Sequence, residues 1–334
     1  MIDATGEERP PLRVNRLAVW TVALVLLAIG FVSTIVALNS TVYSSSGFVS
    51  GYLAALERRD VDSALETPGV DLPEGDHLRT LLAPGALGEL RDHRIRSDTV
   101  RPDGTHRVIA DYTIDGTESS TVFEVTFEGT RFGLFTEWSF TTSPVSVLDI
   151  LPRNDARFDA NGTVIISDSG AGEPVSALVL TPGSFALGHE STYLVAEPET
   201  ILVVEPASVV EATVTARANN DFIDLLQTEL DSLLDECATQ TVLQPTGCPF
   251  GQPIANRLDG TPEWSIEAYP AVSIAPGPTA GTWQVPRTPG TARLAVDVQS
   301  LFDGTLSRFD EPVDFTVSYL ITFTDDNEIS ILPQ

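Results

Sequence analysis

The chain has 334 residues, and its 47 acidic side chains outnumber the 19 basic ones to give a formal net charge of −28. Such acidity disfavours nucleic-acid binding, which depends on Lys and Arg neutralising phosphates. Every basic residue is arginine. The lack of lysine excludes Schiff-base catalysis, a Walker A phosphate loop and Ser-x-x-Lys nucleophiles.

A long apolar segment near the N-terminus, residues 17–38, contains no charged side chain. As an α-helix it would be about 33 Å long, enough to cross a hydrocarbon core about 30 Å thick. The sequence therefore predicts a transmembrane signal anchor. A cleaved signal peptide is the alternative, but it typically has a shorter apolar core, about 7–15 residues, and a small-x-small cleavage site. The predicted anchor residues are Leu17, Trp20, Leu24, Leu27, Phe31 and Leu38.

The flanks of this segment predict its orientation. Arg9, Arg13 and Arg16 precede it, whereas residues 39–56 carry no charge. The positive-inside rule then places the N-terminus in the cytoplasm and the C-terminus outside the cell. We expect residues 1–16 to form a cytoplasmic tail, 17–38 the signal anchor and 39–47 a short polar tether. The large remainder would lie on the outer side of the cytoplasmic membrane.

Two cysteines, Cys237 and Cys248, fall in this external part. A lone, closely spaced pair in an oxidising compartment predicts a disulfide. Closing a loop of about twelve residues would contribute roughly 3 kcal/mol in the chain-entropy model. Free thiols or half of a zinc site are the alternatives, but no Cys-x-x-Cys or clustered histidine accompanies the pair.

Residues 48–143 change from helical to strand periodicity. Apolar residues between Phe48 and Leu56 form one stripe of an amphipathic helix, and Asp60 can cap a second helix. A further helical segment is predicted over residues 77–91, interrupted by Pro84-Gly85. Period-two alternation then predicts three strands, within residues 108–114, 121–127 and 132–140. The pattern predicts an α+β domain in which helices cover one face of a curved antiparallel sheet.

This region resembles a known superfamily. The segment VSGYLAALERRDVDSAL from Val49 to Leu65, the VIADYTIDG strand and Trp138 are similar to the small NTF2-like or cystatin-like domains of bacterial envelope proteins. In that superfamily the cone between helix and sheet can hold a ligand, catalyse a reaction or be filled by side chains. The resemblance alone does not choose among these roles.

Residues 144–212 show no helical period. Short apolar runs alternate with Gly, Pro, Asn and Asp, which is typical of a small all-β module. The module is similar to the immunoglobulin-like spacers of membrane-anchored bacterial proteins, including the teicoplanin-resistance-associated membrane proteins. The arginine-only, Ala- and Gly-rich composition also indicates a GC-rich genome, and we expect an actinobacterial single-pass envelope protein.

The last segment, residues 213–334, begins with a strongly amphipathic helix and continues with alternating strands. It is predicted to be a second α+β domain of the same general kind, closed by the disulfide. The helix stripe consists of Phe222, Ile223, Leu226, Leu230, Leu233, Leu234 and Cys237.

No motif predicts a metal, a cofactor or a catalytic residue. His189-Glu190 begins like a zinc-protease motif, but the second histidine it needs is Tyr193. The Asp-Gly-Thr turns and the acidic cluster at residues 325–328 lack the spacing of a calcium loop, and turn chemistry explains them better, although calcium binding stays open.

Two function classes remain. The leading hypothesis is a non-enzymatic envelope protein that binds, senses or has a structural role, anchored in the bilayer by one helix. Its partner would be another envelope protein or a cell-wall component. The alternative is an enzyme or small-ligand binder using the NTF2-like cone, with Asp111 or Glu124 and His106 as an acid–base pair. Asp111, however, is predicted to lie on the face opposite the apolar residues of its strand.

Overall fold

The computed structural model describes residues 16–323 and 329–334. These residues form a mixed α+β protein, as the sequence predicted. They divide into two compact units, each assembled from separate stretches of the chain. The first unit runs to Leu72 and includes Glu89–Pro144 and Val204–Ala207; the second contains Pro73–Gly88, Val145–Val203 and Ser208–Gln334.

The first unit contains three helices: α1 (Arg16–Ser40), α2 (Ser45–Glu57) and α3 (Val61–Leu65). The predicted N-cap of α3 is present, since the side chain of Asp60 accepts a hydrogen bond from the backbone of Ser63. Four residues separate α1 from α2, so the apolar helix is followed almost at once by the folded unit.

A four-stranded antiparallel sheet, in the order β1-β2-β3-β4, completes this unit. Its strands are β1 (Leu90–Val100), β2 (His106–Ile114), β3 (Thr117–Arg131) and β4 (Phe135–Phe140). The last three match the three predicted strands. The first was missed because it is rich in charged residues, and only the end of it at Leu90 is buried.

The space between α2 and this sheet is filled by aromatic and aliphatic side chains. Tyr52 and Phe123 are buried with ring centroids 6.0 Å apart, and Phe140 lies 5.2 Å from Tyr52. Val49 and Leu53 of α2 are fully buried beside them. The space between α2 and the sheet is therefore a packed core at these residues.

The helix predicted over residues 77–91 is wrong. Pro84–Ala86 forms a single 3-10 turn, and Leu78 is extended and pairs with Ala177 in an isolated bridge. Leu81 is fully buried in the core of the second unit. Burial of apolar side chains in an extended segment, together with the Pro84-Gly85 break, outweighs the helical preference of this sequence.

The second unit contains a β-sandwich built from two sheets, with strand orders β11-β5-β8 and β12-β10-β9-β6-β7. All of it is strand and turn, as predicted for the all-β segment. The strands are β5 (Val145–Arg153), β6 (Arg157–Ala160), β7 (Thr163–Ile166), β8 (Val175–Leu180), β9 (Gly183–Glu190), β10 (Leu194–Val203), β11 (Val209–Thr215) and β12 (Arg217–Ala218).

The same unit continues with the amphipathic helix α4 (Asn220–Ala238), capped by the side chain of Asn219. A sheet in the order β13-β16-β17-β18 follows, with β14 and β15 both paired to β16. Its strands are β13 (Arg257–Leu258), β14 (Glu263–Ala268), β15 (Ala275–Pro276), β16 (Thr282–Gln299), β17 (Leu306–Phe323) and β18 (Ile329–Pro333).

The sandwich and the α4 segment share part of their cores. Leu194 and Ala216 from the sandwich lie in one buried cluster with Phe222 of α4 and Trp283 of β16. The domain boundaries predicted at residues 144 and 213 stay predictions.

Candidate functional site

The helix α1 is apolar on every side. Its segment Val19–Ser40 has a mean hydropathy of 2.6 and none of it is buried against the protein. Among the described residues it is the one helix long and apolar enough to span a membrane, although a signal sequence can have the same composition. Leu38 is half-buried, whereas the other predicted anchor residues, Leu17, Trp20, Leu24, Leu27 and Phe31, are exposed.

Of the three arginines used to predict orientation, only Arg16 lies within the described residues. Arg9 and Arg13 lie outside the described residues, and Arg16 is the first residue of α1. The acidic cluster at residues 325–328 also lies outside them. The topology therefore stays a prediction.

Where α1 meets the first unit, the segment predicted as a tether is tied to the edge strand β4. The Asn39 side chain donates a hydrogen bond to the carbonyl of Leu134 at 2.7 Å and accepts one from the Thr136 amide at 3.3 Å. The Trp138 indole donates to the carbonyl of Tyr43 at 2.8 Å. These bonds attach the end of the apolar helix directly to the sheet.

A Ser-His-Asp cluster lies at the start of α2. His106 Nδ1 lies 2.8 Å from Asp98 Oδ1 and 3.0 Å from Ser45 Oγ. Ser45 and Ser46 both donate hydrogen bonds to Asp98 Oδ2. Burial opposes ionisation of Asp98, but hydrogen bonds from Ser45, His106 and Ser46 outweigh it, so the pKa of Asp98 lies below its usual value.

This arrangement differs from a catalytic triad. A triad places the serine on one imidazole nitrogen and the carboxylate on the other, so that the histidine relays a proton. Here the hydroxyl of Ser45 and the carboxylate of Asp98 both contact the same imidazole nitrogen, Nδ1 of His106. The geometry instead lets Asp98 fix the first turn of α2 to β1, which is a structural role.

We predict that Asp98→Asn lowers the free energy of unfolding by about 1–3 kcal/mol at neutral pH, since charge-assisted hydrogen bonds are lost. Because the folded-state pKa of Asp98 is lowered, its contribution is present above the unfolded-state pKa, about 3.9, and is lost as the pH falls through the folded value. The unfolding free energies of both proteins, measured by urea titration, should therefore converge as the pH falls through the lowered pKa of Asp98.

The matched control for this variant is Glu118→Gln, an exposed position on β3, which should change stability by no more than about 0.5 kcal/mol. A constant difference between Asp98→Asn and the native chain from pH 7 to pH 2 would contradict a lowered pKa at Asp98.

The acid–base pair considered in the sequence is not brought together. His106 shares the core-facing side of β2 with Val108, whereas Asp111 points to the opposite face. Glu124, opposite Arg107 in the β2–β3 register, also lies on that opposite face. The carboxylates pair with arginines there: Asp111 with Arg94 and Arg96, Glu124 with Arg101. A proton relay between His106 and either carboxylate would have to cross the sheet.

His189 lies on strand β9 and is buried. Its Nε2 is 3.1 Å from the Ser191 hydroxyl, and burial lowers its pKa. The zinc-protease motif needs both of its histidines on one face of a helix. Within residues 16–323 and 329–334, no group of three or more His, Cys, Asp or Glu side chains is placed to hold a metal ion.

The second unit has an apolar cleft of about 330 Å³ beside α4. Leu226, Leu230 and Leu233 line it from the helix, and Val285 and Tyr319 line it from the sheet. Leu233, predicted to be a core residue, is 39% exposed at this cleft. Most of the apolar stripe of α4 therefore packs in the core, and its edge lines the cleft. The sequence pattern did not distinguish these cleft residues from core residues.

Comparison with known proteins identifies no relative. No protein-family model matches the chain, and neither the curated proteins nor the solved structures contain a match.

Proposed function

We propose that this chain is a single-pass protein of the cell envelope, anchored in the cytoplasmic membrane by α1, with both folded units on the outer side. In this proposal it is non-enzymatic and binds, senses or has a structural role. Its partner is another envelope protein or a cell-wall component. The observation that carries the proposal is the apolar helix α1, whose membrane-length segment has no buried residue and which is followed by a folded unit four residues after it ends.

The attachment of α1 to β4 supports an uncleaved anchor over a removed signal peptide. Asn39 is bonded to two backbone positions of β4 and the preceding turn, so cleavage before α2 would leave those groups without this partner. A signal peptide is removed from the mature protein, so we expect no specific contacts between it and the folded domain. The NTF2-like and immunoglobulin-like assignments are part of the same proposal, supported by α2 packed on a four-stranded antiparallel sheet and by the β-sandwich that begins at β5.

We predict that protease added to intact protoplasts digests the large C-terminal part and leaves a short membrane-embedded fragment. The reason is the positive charge that precedes α1 and is absent after it. Immunoblots against the C-terminus before and after lysis measure this. Full protection until lysis would invert the topology, and recovery of the intact chain in the soluble fraction would refute the anchor.

The cleft beside α4 favours a second candidate, a small-ligand binder. Its walls are mainly apolar, with Glu229 and Tyr319 as the polar groups near a bound molecule. Organic extraction of the natively purified chain followed by mass spectrometry would test this. A stoichiometric apolar compound, lost in Leu230→Arg but kept in the surface variant Thr228→Arg, would favour ligand binding.

A further inference from the structure

The turn that joins β3 to β4 holds a phenylalanine in a backbone conformation that phenylalanine disfavours. Phe132 has φ +54° and Gly133 has φ +69°, and the Leu134 amide donates to the Arg131 carbonyl at 3.1 Å. Two consecutive positive φ values in a hairpin turn normally select Asn-Gly or Asp-Gly, because a bulky side chain crowds the backbone there. Phe132 is also 87% exposed, so packing within the unit does not explain it.

This turn lies beside the end of the apolar helix. Asn39 follows directly after the predicted span, and its side chain donates to the Leu134 carbonyl at 2.7 Å. A helix that crosses the bilayer brings its last residues to the membrane interface. The 2.7 Å bond then places the backbone of Leu134 at that same depth, and Phe132 is only two residues away.

The side chains around the turn have the composition of a membrane interface. Val42 and Phe127 are 62% and 50% exposed. The ring of Tyr43 packs at a tilt against that of Phe135, with centroids 4.6 Å apart. Tyrosine and tryptophan are enriched at the level of lipid headgroups, and the guanidinium of the exposed Arg131, ion-paired with Glu137 at 3.0 Å, lies at the same place.

We propose that the β3–β4 turn, residues 131–134, together with Val42, inserts into the outer leaflet of the bilayer that α1 spans. The occupant of this apolar surface is phospholipid, with acyl chains contacting Phe132 and headgroup phosphate near Arg131. The inference rests on the proposed membrane anchoring. Its consequence is a second membrane contact for the first unit, which limits rotation of that unit about the end of α1.

Lipid crosslinking from defined positions tests this proposal. The photoreactive analogue p-benzoylphenylalanine replaces one residue at a time in the full chain, reconstituted in phosphatidylcholine–phosphatidylglycerol vesicles. Probes at Phe132 and Val42 should yield phospholipid adducts, detected by mass spectrometry. A probe at Phe31, within α1, is the positive control. Thr117 is the matched negative control, at the other end of β3, about 45 Å away at roughly 3.3 Å per residue.

The outcomes separate the two proposals. Adducts at Phe31, Phe132 and Val42, severalfold above Thr117, support the inserted turn. Adducts at Phe31 with only the Thr117 background at Phe132 and Val42 overturn the inserted turn and leave the anchor standing. Background levels at Phe31 as well overturn the anchor itself. Near-ultraviolet circular dichroism matching that of the native chain verifies that each probe leaves the fold intact, and all four sites are at least half-exposed or at a turn.

Discussion

Replacing Phe123 by alanine should destabilise the first unit by about 3–5 kcal/mol, the usual cost of removing a fully buried aromatic side chain. Phe123 has no exposed surface, and its ring packs against Tyr52 and Phe140 at centroid distances of 6.0 and 5.7 Å. Equilibrium urea unfolding of the full chain in detergent, followed by near-ultraviolet circular dichroism, measures the change.

Phe127→Ala is the matched control. It lies on the same strand and the same face of β3, but its side chain is half-exposed, so we expect a loss below about 1 kcal/mol. The comparison bears on function, because a ligand held between α2 and the sheet would need empty space where the Phe123 ring lies. A cost below about 1 kcal/mol for Phe123→Ala would mean that this core is loosely packed. That result would favour a ligand site between α2 and the sheet over the non-enzymatic structural role.

Sequence periodicity located most elements of this fold. Alternation predicted β2, β3 and β4, and the 3.6-residue stripe predicted α2 and α4, because each of these elements buries one face and exposes the other. Trp264 and Trp283 also pack into the last sheet, at 7% and 1% exposed, whereas Trp138 is half-buried. The sequence also predicted the N-cap of α3 at Asp60 correctly.

Elements without a periodic apolar face were missed. Strand β1 carries charged residues on both of its faces along most of its length. Its place in the sheet depends on pairing with β2. Residues 77–91 look helical in isolation, yet Leu81 is buried in a core built by strands far away in sequence. Local propensity cannot anticipate such tertiary burial.

The contacts on which the proposed function rests could not be predicted from the sequence either, because they join residues that are far apart in the chain. The Asn39–Leu134 bond joins residues 95 positions apart, and the Ser45–Asp98–His106 cluster joins three elements. Phe132-Gly133 could have been noticed, since phenylalanine replaces the Asn or Asp expected in such a turn. Recognising it requires knowing that β3 and β4 form a hairpin and that both Phe132 and Gly133 have positive φ in its turn.

Removing the cysteine pair should have the other large effect on stability. Sγ of Cys237 and Sγ of Cys248 lie at bonding distance, 1.99 Å, which fits the predicted disulfide. The bridge closes an 11-residue separation between the end of α4 and the following loop. For the double variant Cys237→Ala/Cys248→Ala we expect a loss of about 3 kcal/mol in the free energy of unfolding of the second unit, because the unfolded chain regains the entropy of an open loop.

Reduction of the native chain provides the internal control for this prediction. A thiol reductant should lower the urea midpoint of the native chain to that of the double variant and leave the variant unchanged. The loop is also fixed by packing, since Trp264 donates to the Val242 carbonyl at 2.8 Å and Phe250 lies in the same core. If packing alone held it, reduction would leave the midpoint unaltered. Alkylation of both thiols in unreduced protein from intact cells would exclude the bridge and weaken the case for an extracytoplasmic location.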